Sequence, residues 1–214
     1  MTSTGETIRK RILGKLYLAS LKVEDISQSA EDIACELGLD PGVFREIVGS
    51  LESEGLCTGS GDSFTLTEKG RTRIKIVMTG GVFEIIHPGH VQTLEQAKRL
   101  GDILVVSVAR NITVERNKHR VPIHDEKLRR KLVASISLVD GAVLGSETDI
   151  FETVLLLKPD IIALGYDQRH SEETIRREIE GKGVAAKVVR LDSSVPDIKT
   201  SKIVEGKPEV LRDV

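Results

Sequence analysis

Two histidines and three glycines are concentrated in residues 79–90, between a predicted strand and a predicted helix. Gly80 and Gly81 let the backbone approach a ligand closely, and the free N–H groups at a helix start bind phosphate. His87 and His90 flank that start, so their imidazoles can donate hydrogen bonds to phosphoryl oxygens. Loss of such a donor to a transition state typically slows a reaction roughly 100- to 1000-fold. The pattern therefore indicates nucleotidyl transfer.

The histidine pair has two other interpretations. His87 could cap the helix while His90 is an ordinary residue of its first turn, which is the commoner role of two histidines at this spacing. A metal site is the weaker alternative, because no cysteine and no third clustered ligand accompanies the pair. The preceding strand and the paired glycines favour a functional pair, since the other three of the five histidines lack such surroundings.

The composition of the 214-residue chain is that of a globular protein with one large domain or two small ones. The longest apolar runs, such as residues 103–106 and 154–157, are far shorter than the ~20 residues of a membrane span. The N-terminus lacks the features of a secretory signal, so we expect a cytoplasmic protein. Cys35 and Cys57 are typical of buried thiols rather than of a disulfide framework.

Charge is distributed unequally along the chain. Residues 1–70 hold 7 Lys and Arg against 12 Asp and Glu, whereas residues 71–214 hold 24 against 21. A mildly positive second part suits an anionic substrate, and a net charge of -5 on the first part disfavours nucleic-acid binding.

The first part, residues 1–70, is predicted to be a small domain of three helices and a hairpin. The helices are expected at residues 7–19, 29–37 and 41–55, and the hairpin strands at 56–58 and 64–67. This order, with the ending Leu-Thr-Glu-Lys-Gly at 66–70, resembles winged helix-turn-helix domains. The third helix carries one basic residue, Arg45, beside Glu46, Glu52 and Glu54. A packing, dimerisation or sensor role is therefore favoured over operator binding.

The second part, residues 74–214, is predicted to be an α/β domain with a Rossmann-like parallel sheet. The strands are expected at residues 74–78, 103–109, 142–144, 160–164 and 186–191, and the helices at 90–99, 125–136, 150–157 and 171–180. Ligands of such sheets lie beyond the carboxyl ends of the strands. Three segments there are expected to be loops: the histidine segment, a basic loop at 109–120 and a loop at 164–168.

The run Gly-Gly-Val-Phe-Glu-Ile-Ile-His-Pro-Gly-His at 80–90 resembles the HxGH signature of the cytidylyltransferase-like nucleotidyltransferases. The resemblance extends over residues 74–205. Within that superfamily, the stretches at 97–102, 142–147 and 158–168 look most like archaeal FAD synthases, which transfer AMP from ATP to FMN. Glycerol-3-phosphate cytidylyltransferases share the scaffold and nearly the same motifs, so CTP and another phosphorylated acceptor remain alternatives.

The resemblance implies that an acceptor phosphate attacks the α-phosphorus of a nucleoside triphosphate in line and that pyrophosphate leaves. His87 and His90 would bind the α-phosphate and the bridging oxygen, and Mg²⁺ would neutralise the triphosphate, with no side chain assigned as its ligand. The other residues expected to bind the nucleotide are Thr79, Gly80, Gly81, Val82, Phe83, Arg129, Gly165, Asp167, Thr200, Ser201 and Lys202. Lys118, Arg120 and Lys199 are candidate ligands of a phosphate or of the acceptor.

Several of these assignments have alternatives. Arg129 could be part of a solvated helix surface, and Asp167 could stabilise a turn. Glu84 stands where the family usually has Asp, which could alter the packing of that turn or the contact with a metal. The family also suggests a homodimer. A regulator that senses a nucleotide or flavin without turnover is the second alternative, although intact His87 and His90 favour turnover.

Overall fold

The computed structural model describes residues 3–21, 29–168 and 171–193. The chain divides into two compact units, residues 1–75 and 76–214. In the described part, no helix is long and apolar enough to cross a membrane.

The described part of the first unit contains helices and one hairpin, in the order in which the sequence predicted them. Its described elements are α1 (Ser3–Ser20), α2 (Ala30–Leu37), α3 (Pro41–Ser53), β1 (Cys57–Ser60), β2 (Ser63–Leu66) and a short α4 (Glu68–Arg71) that was not predicted. Asp40 caps α3 by accepting from two backbone N–H groups, as expected, and Phe44 packs edge-on against Phe64 in the core. Membership of the winged-helix class stays a prediction.

The second unit is built on a five-stranded sheet in which every pair is parallel, as predicted. Its strands are β3 (Ile76–Gly81), β4 (Ile103–Val108), β5 (Gly141–Leu144), β6 (Ile161–Leu164) and β7 (Lys187–Arg190). All six residues of β4 are buried, which is typical of a parallel strand covered by helices on both faces. The α/β fold class is therefore confirmed.

Five helices alternate with these strands. They are α5 (Pro88–Lys98), α6 (Asn111–Lys118), α7 (Glu126–Ala134), α8 (Ile150–Leu157) and α9 (Glu172–Gly181). The prediction of a basic loop at 109–120 was wrong, because α6 occupies most of it. Its sequence lacks apolar periodicity, and the helix is fixed by tertiary contacts: Val114 is buried, and the Asn111 N–H donates to Glu126.

The chain enters the sheet at its centre and reverses direction once. The strand order is β5-β4-β3-β6-β7, so the chain moves outward from β3 in one direction and then returns to place β6 on the other side of β3. At such a switch point the connections leave neighbouring strands in opposite directions and open a crevice beyond their carboxyl ends. The segments that follow β3 and β6 therefore border one crevice.

Candidate active site

Both histidines lie at the start of α5, directly after the segment that follows β3. Pro88 is the first residue of the helix and His87 occupies the N-cap position, but the imidazole of His87 makes no capping hydrogen bond. The backbone N–H of His90 donates to the carbonyl of His87 at 2.9 Å. The side chain of His87 therefore does not cap the helix.

The two imidazoles are stacked on each other. Their ring centroids are 3.9 Å apart at an interplanar angle of 29°, and the Phe83 ring lies 5.0 Å from that of His90. Phe83 is buried and has a left-handed φ of 50°. A Cβ atom on Gly81 would come within 2.8 Å of Cε2 of Phe83, so this ring needs glycine at position 81. Backbone conformation and packing thus fix the ring against which His90 rests.

Burial keeps both histidines neutral at pH 7. It lowers the pKa of His90 to about 3, with smaller contributions from His87 and Lys118, while the backbone of Ile85 partly opposes the shift. Burial also lowers the pKa of His87, and the nearby charge of Asp167 partly opposes this shift. A neutral imidazole keeps one N–H donor and one acceptor nitrogen. The pair can therefore donate hydrogen bonds to phosphoryl oxygens without carrying a positive charge.

The segment after β6 approaches the end of β3. Nε2 of Gln168 donates to the carbonyl of Gly80 at 2.5 Å, and Nη1 of Arg190 donates to the carbonyls of Gly165 and Gln168 at 2.9 and 3.1 Å. The sequence reasoning missed Gln168 and Arg190, because neither residue type marks a position in a crevice. These bonds hold the segment with Gly165 and Asp167 at the carboxyl ends of the strands, where the histidine segment also lies.

Thr79 uses its hydroxyl within the sheet. This side chain is 1% exposed and donates to the carbonyl of Ala163 on β6 at 2.9 Å. A Cβ atom on the next residue, Gly80, would lie 3.4 Å from the carbonyl oxygen of Ser107. Contact of Thr79 or Gly80 with the nucleotide stays a prediction, and for Thr79 it would involve the backbone rather than the hydroxyl.

Arg129 is buried among the loops at this edge of the sheet, so the interpretation as a solvated helix surface was wrong. Its side chain is 0% exposed. The guanidinium donates to the carbonyls of Val82 at 2.6 Å, Ala109 at 2.8 Å and His124 at 3.0 Å, and to Oδ1 of Asn111 at 2.8 Å. These bonds occupy most of the donors that a phosphate would need. A direct contact with the nucleotide stays a prediction.

Glu84, which replaces the usual Asp of the family, binds Arg120. Its carboxylate accepts from Nη1 and Nη2 of Arg120 at 2.7 and 2.5 Å and from the backbone N–H of Ile123 at 2.6 Å. The hydrogen bonds from Arg120 lower the pKa of Glu84 despite its burial, and Lys118 lowers it further. The carboxylate is therefore ionised and paired, and Arg120 is already engaged by a protein anion.

The remaining predicted ligands lie outside the described residues. These are Lys199, Thr200, Ser201 and Lys202, whose roles stay predictions. Within the described segments, no group of three or more His, Cys, Asp or Glu residues could hold a metal ion. Mg²⁺ that arrives with a nucleotide needs few protein ligands, because phosphates and water supply most of its coordination.

The chain belongs to the cytidylyltransferase-like family, because the sequence profile of that family matches residues 78–206. With its parallel sheet and its histidines at the start of α5, the chain is a nucleotidyltransferase.

The predicted resemblance to FAD synthases is also confirmed. An FAD synthase from Aciduliprofundum boonei is 54% identical over 115 residues, which are 54% of this chain and 76% of that protein. An FAD synthase from Thermoplasma acidophilum is 45% identical over 131 residues, which are 61% of this chain and 92% of that protein.

A solved structure supports the fold. The lipopolysaccharide core biosynthesis protein from Thermoplasma volcanium GSS1 is 45% identical with a TM-score of 0.55, and the similarity covers 56% of this chain and 98% of that one.

Proposed function

We propose that this protein transfers the AMP moiety of ATP to the phosphate of FMN, with FAD and pyrophosphate as the products. The observation that carries the proposal is the stacked, neutral pair His87 and His90 at the start of α5, beside the switch point of the sheet. The FAD synthases that are 54% and 45% identical to this chain over the matched residues support the choice of substrates.

The reaction needs positioned donors rather than a covalent intermediate. A phosphate oxygen of FMN forms a bond to the α-phosphorus of ATP, and the bond from that phosphorus to the bridging oxygen breaks with release of pyrophosphate. Negative charge grows on the oxygens around the α-phosphorus, where His87 and His90 would donate their N–H groups. The backbone N–H of Gly89, in the first turn of α5, would bind the same phosphate. Mg²⁺ bound to ATP would supply charge neutralisation of the triphosphate.

Other residues have proposed roles around this centre. Lys118 lies near enough to lower the pKa of both His90 and Glu84, so its ammonium would attract the anionic substrates. Asp167, whose charge reaches His87, would bind the ribose or the base of the nucleotide. We propose phosphate binding by residues 199–202 on the family resemblance alone.

Chromatography of the reaction products tests the function. The purified protein would be incubated with Mg²⁺, ATP and FMN, and in parallel with CTP and glycerol 3-phosphate. Formation of FAD is the expected result. CDP-glycerol in place of FAD would move the activity to the alternative substrates, and release of pyrophosphate with neither acceptor would direct the search to other phosphorylated metabolites.

A pair of matched variants tests the assignment to the histidine site. His90→Asn is expected to reduce kcat roughly 100- to 1000-fold, because the shorter asparagine side chain places its N–H group away from the position of the imidazole donor. His119→Asn is the control: His119 is exposed and has a left-handed φ of 54°, a conformation that Asn adopts readily. An equal loss in both variants would contradict a catalytic role of His90.

We propose a supporting role for the N-terminal unit. Arg45, the basic residue of α3, forms an ion pair with Asp62 at 3.2 Å, and α3 also carries Glu46 and Glu52, with Glu54 at its C-cap. A winged-helix domain with this charge pattern is expected to pack or dimerise rather than to bind DNA, so a gel-shift assay with the upstream DNA of its own gene should show no shift. A homodimer and a cytoplasmic location likewise stay proposals.

A further inference from the structure

The three residues 82–84 that follow β3 are held by side chains from a distant part of the chain. The carbonyl of Val82 accepts from Nη1 of Arg129, 47 positions later. The carboxylate of Glu84 accepts from Arg120, 36 positions later, and from the backbone N–H of Ile123. Phe83 stands between these two anchors. Residues 82–84 are thus fixed on both sides of the aromatic ring that contacts His90.

The Arg129 anchor also holds the segment that follows β4. The same guanidinium that binds Val82 donates to the carbonyl of Ala109 and to the side chain of Asn111, the first residue of α6. These three acceptors are bound by two different nitrogens of the planar guanidinium, and the single ammonium of a lysine cannot contact them all. These bonds stabilise the buried charge of Arg129, and loss of any one of them leaves a buried oxygen without its donor.

The Glu84 anchor holds the segment that leads to α7. Arg120 binds both carboxylate oxygens of Glu84 in a bidentate pair, and Glu84 itself is completely buried while about a third of the Arg120 side chain is exposed. An aspartate is one methylene shorter, so the replacement of the usual Asp by Glu84 lengthens the reach of this anchor. The pair commits the guanidinium of Arg120 to a protein carboxylate.

These contacts converge on the catalytic pair. Phe83 adopts a φ of 50°, which costs energy for a residue other than glycine and persists only where its surroundings enforce it. The enforced conformation places the Phe83 ring 5.0 Å from His90, which in turn stacks on His87 at 3.9 Å. A shift of residues 82–84 would therefore move both imidazoles.

We propose that Arg129 and the Glu84–Arg120 pair are positioning residues, which fix residues 82–84 and thereby orient His90 and His87 for phosphoryl contact. This assignment rests on the proposed nucleotidyl transfer, and it differs from the expectation that Arg129 and Arg120 bind substrate phosphates directly. Displacement of a catalytic group by about 1 Å can reduce the rate roughly 100-fold. The positioning role therefore predicts a loss in kcat rather than in the affinity for ATP.

Three variants with one control test the proposal. Arg129→Lys and Arg120→Lys keep the positive charge and remove the fork, and Glu84→Gln removes the negative charge of the pair. Because Arg129 is fully buried, its variant could fail to fold, and the partly exposed Arg120 then provides the milder test. The control is Arg177→Lys, on the exposed surface of α9, where the arginine pairs with a glutamate one turn away.

Two readouts separate positioning from direct contact. The first is the pair of values kcat and KM for ATP. The second is the ring resonances of His87 and His90 in ¹H–¹³C correlation spectra, assigned with His87→Asn and His90→Asn. The spectra are recorded without FMN. Failure of the wild type to form FAD would overturn the proposed function and leave this second readout intact.

The expected result is a fall in kcat of about 10- to 100-fold for the variants, a change in KM for ATP of less than about threefold, and displaced resonances of both histidines. The control should match the wild type in all three measurements. A rise in KM with unmoved histidine resonances would show that the arginines contact the substrate and would overturn the proposal. Folded variants with the wild-type kcat would overturn it equally.

Discussion

Lowering the pH from 7 to 5 is expected to destabilise the C-terminal unit through His90. In the folded state burial holds the pKa of His90 at about 3, whereas an unfolded chain has a histidine pKa of about 6.5. Between these values the unfolded state binds a proton that the folded state does not. The contribution of His90 to stability is therefore fully present above pH 6.5 and is lost as the pH falls toward 3.

The expected magnitude follows from the two pKa values. In the middle of this window one such group changes the free energy of unfolding by about 1.4 kcal/mol per pH unit, so His90 accounts for about 2 kcal/mol between pH 7 and pH 5. This is a large fraction of the 5–15 kcal/mol that is typical of a folded protein. His87, whose pKa is also lowered by burial, acts in the same direction. The lowered pKa of Glu84 adds nothing until the pH falls below its unfolded value of about 4.3.

Urea denaturation followed by tyrosine fluorescence provides the assay. The chain has no tryptophan and two tyrosines, Tyr17 in the first unit and Tyr166 in the second. In a Tyr17→Phe background the signal of Tyr166 reports on the C-terminal unit. The free energy of unfolding would be measured at pH 7 and pH 5 for this background and for the same protein with His90→Asn.

The variant is expected to lose about 2 kcal/mol less than the background over this pH range, because its side chain at position 90 does not titrate. If both proteins lost the same free energy, the pKa of His90 would be the same in the folded state as in the unfolded chain. The inference that a neutral imidazole meets the substrate would then be refuted.

Three further substitutions test the site. Gly81→Ala should displace the Phe83 ring, which a Cβ atom would approach to 2.8 Å, and should reduce kcat about 100-fold in steady-state assays. Thr79→Val should reduce the free energy of unfolding in urea by about 1 kcal/mol and leave KM for ATP unchanged, since its hydroxyl bonds within the sheet. Asp167→Asn should lower the pKa of His87 further in an NMR titration, because it removes the charge that opposes burial; a raised or unchanged pKa would contradict that interaction.

Local sequence pattern was sufficient to predict the parallel strands and the histidine pair. Short apolar runs alternate with amphipathic segments, and β3 ends in two glycines ahead of Pro88 and a helix, so the arrangement of the candidate phosphate-binding segment depends on neighbouring residues. The family resemblance carried the substrate class, since substrate identity is not encoded in periodicity. Helix α6 was missed because it lacks an apolar stripe, and contacts from other segments stabilise it instead.

The tertiary structure decided which charged residues act inside the protein. The sequence could not rank Arg129, Arg120 and Lys118, because all three belong to runs of charge and their partners lie far away along the chain. Only the packing of the loops buries Arg129 against Val82 and pairs Arg120 with Glu84. The protonation state of His90 was equally inaccessible, because desolvation depends on the atoms that surround the ring in the folded protein. Residue types and spacing thus determined the chemistry of the site, and three-dimensional packing decided the charge and orientation of its groups.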